Sequence, residues 1–222
     1  MDTSTLSESL VESGDEEEAM TASDVLHKLE ELWITEKMSP TLQPHHGELV
    51  DCMLDQLSQM TENLKRCKKN DFRLAIHKLE IDRIRYIISS YLRTRLQKIE
   101  RFAHHLLDID SSRTENKPSV LSPDEHKYAK EYVSNFSMLM TTLASQHMPE
   151  NLQSFEKATL SVKPNLDSYV FFKVKKEVKN LLIEDNTGEG RDEEVDLELE
   201  QQHLMRYSSV YHLLDDGSIN LI

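Results

Sequence analysis

The residues best suited to chemistry are two adjacent histidine pairs, His45-His46 and His104-His105, two cysteines, and an acidic group, Glu30, Glu31 and Glu36. Adjacent residues diverge around a helix, and neither histidine pair has a Cys or carboxylate at metal-ligand spacing. Cys52 and Cys67 lie fifteen apart, form no CxxC pair, and have no base positioned beside them. Glu30, Glu31 and Glu36 read as a solvated helix face. No phosphate loop, dinucleotide fingerprint, HExxH or nucleophile elbow is present. With 5 glycines in the chain there is little material for tight ligand-cradling turns. The residues therefore predict no catalytic, cofactor or metal site, and no enzyme.

The basic residues form the other conspicuous set. Residues 62–105 hold twelve bases against five acids, although the whole chain has 26 Lys and Arg, 40 Asp and Glu, and a net charge of −14. The acidic balance sits at the ends: residues 1–20 hold seven acids and no base, and 184–200 hold nine acids against Arg191. Lys65, Arg66, Lys68 and Lys69 cluster together, and Arg83, Arg85, Arg93, Arg95, Lys98 and Arg101 follow. One reading is a phosphate-backbone track along 65–101. The other is pairing with carboxylates inside the fold or across an interface, which suits arginine's rigid fork. The second is favoured because the arginines interleave with apolar residues and no aromatic platform flanks them.

These residues need elements to hold them. Thr21 caps a first helix carrying Val25, Leu26, Leu29, Leu32 and Trp33, which ends before Pro40. A second runs from about Gly47 to Cys67. From Asn70 to about Asp108 there is neither Pro nor Gly, which predicts a rod of roughly 60 Å. Ile81, Ile84, Ile88 and Tyr91 line one of its faces, and Ile87, Leu92, Leu96 and Ile99 widen it. Such girth needs cover from several sides and points to a partner subunit. Ser122-Pro123-Asp124-Glu125 starts a fourth helix with a capping box.

After Pro149 the pattern changes. Tyr169 to Val174 is rich in strand formers, and further short runs follow at 180–183, 194–199, 204–207, 210–214 and 218–222. Asp216-Gly217 suggests a hairpin between the last two, with Tyr169, Phe171 and Val174 as core at the start. The fold class is thus multidomain α+β: an N-terminal all-α bundle with a very long third helix, then a small, mostly β domain. Its parts are a disordered acidic tail (1–20), a helical domain (21–147), a linker (148–165) and a β domain (166–222). About 57 residues make a marginal core, so the β domain should dock against something else. The cysteine usage suits a reducing, intracellular compartment, no run approaches a membrane span, and the start lacks the regions of a secretory signal.

Several stretches carry a family resemblance. RIRYIISSYLRTRLQKIE (83–100), QHMPENLQ (146–153), LDSYVFFKV (166–174), HLMRYSSVYHLLDDGSINLI (203–222) and WITEKMSP (33–40) resemble the Sld-five-type subunit family of the GINS complex. The likeness spans about 21 to 222 in order. It implies a non-enzymatic, nuclear subunit of a heterotetramer with three other GINS subunits. That complex binds the MCM helicase ring and its initiation cofactor in DNA replication at origins and forks. DNA contact would be indirect or weak. The acidic head has two readings, a passive solubilising tail and a short docking segment for a replisome adaptor, of which the tail is favoured. The residues expected at core or interface are Trp33, Arg83, Ile84, Arg85, Ile88, Tyr91, Leu92, Arg95 and Leu96, with Tyr169, Phe171, Ile219 and Leu221 in the β part. The alternative function is nucleic-acid binding through the stripe 65–101.

Overall fold

A computed structural model describes residues 21–66, 72–113, 119–149, 161–183 and 193–222. The acidic tail, the Lys68-Lys69 pair, most of the stretch between Pro149 and Pro164, and the loop 184–192 fall outside the described residues. Four helices come first: α1 (Ala22–Met38), α2 (Gly47–Arg66), α3 (Phe72–Ser112) and α4 (Pro123–Leu143), followed by a 3-10 turn at Ser145–His147. The expected cap at Thr21 and the expected capping box at Ser122 both form, the first also as a box. The Thr21 hydroxyl accepts the Asp24 N–H while Asp24 accepts the Thr21 N–H, and Ser122 and Glu125 repeat the exchange. Each satisfies N–H groups that a helix start would otherwise leave unpaired.

The long third helix is present and runs further than the sequence suggests, to Ser112, with one non-helical residue at Phe102 (φ −114°, ψ 19°). Its Ile81, Ile84, Ile87, Ile88 and Tyr91 pack with Val25 and Leu29 of α1 and Val50, Met53 and Leu57 of α2 in the main helical core. A second, smaller cluster joins Ile99 to Leu42, Leu121 and Ala129, where α4 crosses. Leu92 and Leu96 do not join either: they point outward, 40% and 38% exposed.

The C-terminal part contains β1 (Tyr169–Val174), β2 (Val178–Ile183), β3 (Glu193–Leu197), β4 (Gln202–Arg206), α5 (Tyr207–Asp215) and β5 (Ile219–Leu221). A three-stranded antiparallel sheet has the order β4-β1-β5, and β2 pairs with β3 beside it. Two expectations are corrected. Residues 210–214 are helix and not strand: Tyr207, Val210 and Leu213 recur at helical spacing and all three are buried. Asp216-Gly217 accordingly closes a helix and not a hairpin. Gly217 takes φ +65° and donates to the Leu214 carbonyl (3.0 Å), and Ser218 donates to Leu213 (2.9 Å). That is the left-handed C-terminal cap for which glycine carries no steric penalty. β5 then returns to pair with β1, placing Ile219 opposite Val174 and Leu221 opposite Phe172.

The strand phase of β1 is the third correction. Val170, Phe172 and Val174 face the core with Ile219, Leu221, Val210 and Tyr207. Tyr169 and Phe171 face outward, because side chains alternate and α5 covers only one side of the sheet.

Candidate interaction surfaces and the buried joint behind them

Arg95 is the best-connected cation of the described chain. It is 1% exposed. Its Nε and Nη2 grip Glu125 at 2.7 and 2.9 Å in a two-point fork. Its Nη1 reaches Glu36 (3.1 Å) and the Gln43 carbonyl (2.7 Å), and Nη2 also reaches the Val120 carbonyl (3.1 Å). Lys98, one turn on, donates to Glu36 Oε1 (2.6 Å), to the Glu36 carbonyl, and to the Thr41 carbonyl (2.8 Å). Two cations and two carboxylates thus form a neutral group that ties α1, the 39–43 turn, α3 and the start of α4 together. Burying charge is tolerable only when it is paired and hydrogen-bonded in this way.

The electrostatics follow from that packing. Burial alone would raise the Glu125 carboxyl, but the Arg95 fork and the Ser122 N–H outweigh it and hold it below the usual carboxylate value. Burial pushes the Lys98 ammonium down, and Glu36 only partly opposes it. Burial also raises the Tyr91 phenol and lowers the His46 imidazole nearby.

Glu36 itself corrects the sequence reading. It is 0% exposed and is not part of a solvated face. The signal was available: Glu36 continues the stripe of Val25, Leu29 and Trp33 at steps of three and four. Glu30 and Glu31 also have partners, Arg83 and Lys175 respectively. Among the stripe arginines, Arg83 bonds Glu80 and Glu30, and Arg85 lies 3.5 Å from Asp82, all at the surface. Arg83, Arg85, Arg95 and Lys98 are therefore committed to carboxylates.

A second polar joint links the two parts of the chain. The Tyr207 hydroxyl, carried at the start of α5, lies 2.6 Å from Thr41 Oγ1, 3.0 Å from Gln43 Nε2 and 3.2 Å from Ser39 Oγ. Lys175 adds a bond from the β1–β2 turn to Glu31 of α1 (2.9 Å). Sequence reasoning missed Tyr207 and Gln43. No local pattern marks a phenol whose partners lie more than 160 residues away.

Of the other expected residues, Ile84, Ile88, Tyr91, Ile219 and Leu221 are buried in the two main cores. Trp33 packs against the helical core, donates its indole N–H to Ser90 (2.9 Å), and meets Tyr86 edge-on at 6.1 Å. Leu92, Leu96, Tyr169 and Phe171 are on the surface. Tyr169 and Phe171 share an apolar sheet face with Leu204 and Ile222: Phe171 lies opposite Leu204, and its carbonyl accepts the Ile222 N–H (3.1 Å). Phe72, Ile76 and Leu79 expose a further stripe at the start of α3, as do Leu139 and Leu143 at the end of α4. Contiguous exposed apolar faces of this kind mark contact sites. Among the described residues no group of three or more His, Cys, Asp or Glu could hold a metal ion, and no helix is long and apolar enough to cross a membrane.

Buried charged joints behind broad apolar faces define a protein that works through contacts with other chains. Two family models match: "GINS complex protein helical bundle domain" over residues 49–144 and "DNA replication complex GINS protein SLD5 C-terminus" over 164–222. Proteins described as DNA replication complex GINS protein SLD5 are similar along nearly the whole length. That of Xenopus laevis is 43% identical over 210 residues, and that of Mus musculus 44% over 211, each covering 95% of both chains. That of Arabidopsis thaliana is 30% identical over 220 residues, covering 95% of this chain and 96% of its own. The chain belongs to the SLD5 family of GINS proteins.

Proposed function

We propose that this chain is a non-enzymatic structural subunit of the GINS complex, joining three other subunits and helping to scaffold the MCM helicase and its initiation cofactor during DNA replication in the nucleus. The observation that carries this reading is the family match along nearly the whole chain, through both the helical and the β parts. The division into a helical domain (21–147) and a β domain (166–222) across 148–165 belongs to the same proposal. It is supported by two separate family matches, one ending at 144 and the other beginning at 164.

Subunit contacts are assigned to the apolar faces: Leu92 and Leu96 on α3, and Tyr169 and Phe171 on the outer sheet. Their exposure in the single chain supports this, since each leaves a large apolar side chain in water. Trp33, Ile84, Ile88, Tyr91 and Arg95 act behind the interface, by fixing the helices that present it. The acidic head, 1–20, is assigned to a replisome adaptor.

The test is co-expression with the three other GINS subunits, followed by native mass measurement. One particle of four different chains is expected. Leu92→Asp with Leu96→Asp should release this subunit, and Phe171→Asp should weaken the particle, while each variant keeps its helical circular dichroism. A double variant that still assembles at full yield would remove α3 from the interface.

A further inference from the structure

A pocket of about 360 Å³ lies where the middle of α3 faces the 39–40 turn and the segment 163–168 that leads into β1. Thr94, Gln97, Lys98 and Arg101 reach it from one face of α3, and Lys163 and Ser168 close the far side. Among the described residues its lining contains three cations and no carboxylate, in a chain whose net charge is −14. Lys98 is already neutralised from behind by Glu36. Arg101 and Lys163 are different. Among the described residues neither has a carboxylate partner, whereas Arg83, Arg85 and Arg95 of the same helix all do. The Arg101 guanidinium rests on the Phe102 ring, 5.5 Å from its centroid, which steadies its position without using its N–H edge. The field of Lys163 reaches further along α3. The His105 imidazole is lowered first by burial and next by Lys163, with Asp108 opposing.

We infer that this pocket binds a phosphorylated side chain, a phosphoserine or phosphothreonine presented by a partner protein. Two uncompensated cations match one phosphate monoester, which carries about −1.5 to −2 charge at neutral pH. An arginine fork beside a lysine point charge is the usual recognition pair for such a group. A nucleic-acid backbone fits less well. The described cations gather around one pocket and do not form a track, its single aromatic is buried and offers no stacking platform, and a strongly acidic chain repels a long polyanion.

The experiment is a titration of the full chain at low salt with fluorescein-labelled Gly-Ala-phosphoserine-Ala-Gly, followed by anisotropy. Parallel titrations use the peptide with Ser or Glu at the central position, inorganic phosphate as competitor, and a 20-nucleotide oligo-dT. The phosphopeptide should bind and be displaced by phosphate, and the Ser and Glu peptides should bind at least tenfold more weakly. Arg101→Gln and Lys163→Gln should each weaken phosphopeptide binding about tenfold, and Arg85→Gln should leave it unchanged. These side chains are exposed, so both variants should keep the parent's circular dichroism and melting temperature. No binding at millimolar peptide, equal binding of the Glu peptide, or affinity untouched by both variants would overturn the inference. Oligo-dT binding that falls with the same two variants while the phosphopeptide is ignored would overturn it in favour of a nucleic-acid contact.

Discussion

At the residue scale the fold turns on Arg95. Five of its contacts are satisfied by two carboxylates and two carbonyls, so its charge is buried without being isolated. Lysine cannot reproduce the fork, because a single ammonium cannot hold Glu125 at two points and Glu36 at a third. Lysine keeps one positive charge but loses the two-point grip on Glu125 and part of the bonding to Glu36 and the carbonyls, and each buried charged hydrogen bond lost costs about 1.5–3 kcal/mol. Arg95→Lys should therefore lower the melting temperature of the assembled complex sharply. Arg85→Lys, at an exposed pair, should cost less than about 1 kcal/mol. Equal melting temperatures for the two variants would contradict the burial of this group. A pH dependence follows as well. The folded-state value of Glu125 lies below the ordinary 4.5, so its contribution is fully present above that pH and is lost as pH falls through the lower folded value. Melting temperatures should drop on that acid limb, and Glu125→Gln should flatten it at the cost of lower stability at neutral pH. A wild-type and variant profile of the same shape below pH 4.5 would refute this. The arginine's pairing was legible in the sequence as a mixture of Arg with an apolar seam. Its partner Glu36 was not, because an acid near other acids reads as surface until its place on the apolar stripe is counted.

At the element scale the sequence was informative wherever a local rule applied. The two capping boxes, the long third helix and the first strand all depend on neighbours within four or five residues, and all are where those neighbours put them. The errors lie where short apolar runs fit either period. Val210 to Leu214 is compatible with strand by composition, but the contact that decides it is tertiary: Tyr207, Val210 and Leu213 fill the underside of a sheet whose strands come from elsewhere in the chain. Likewise the alternation of β1 was visible but its phase was not, since only the position of α5 determines which face is inside. The pairing of β5 with β1 makes a concrete expectation. Removing Ile219 to Ile222 deletes two core side chains and frees one edge of β1 at the same time. Hydrogen exchange on the complex should show protection lost across Phe171 to Val174 and retained across Ile84 to Tyr91. Protection of β1 that survives the truncation would mean that β5 is peripheral.

At the scale of the whole molecule, the open question of mechanics is how firmly the small domain sits on the bundle. Its own core is modest: among the described residues, ten buried side chains from the three-stranded sheet, α5 and the β2–β3 pair. Among the described residues, the side-chain bonds that attach it to the bundle come from Lys175 and Tyr207. The Lys175–Glu31 pair is exposed and contributes little. The Tyr207 hydroxyl is different, because it is buried among three side chains that immediately follow α1. Those three do not depend on it to stay satisfied: Gln43 also donates to Ser39 (2.7 Å) and to Thr41 (3.1 Å). Tyr207→Phe therefore removes roughly one net hydrogen bond, about 1–1.5 kcal/mol, without opening a cavity. That corresponds to about tenfold in the docking equilibrium. The ring stays in the β core, so neither domain should unfold. Hydrogen exchange should quicken about tenfold at Ser39, Thr41 and Gln43 and at the start of α5, while Ile84 to Tyr91 and Val170 to Val174 keep their protection. If exchange instead quickens throughout β1, Tyr207 is chiefly a core residue. If nothing changes, the packing of β5 against α1 holds the domains together by itself and the phenol is only a passenger at the joint.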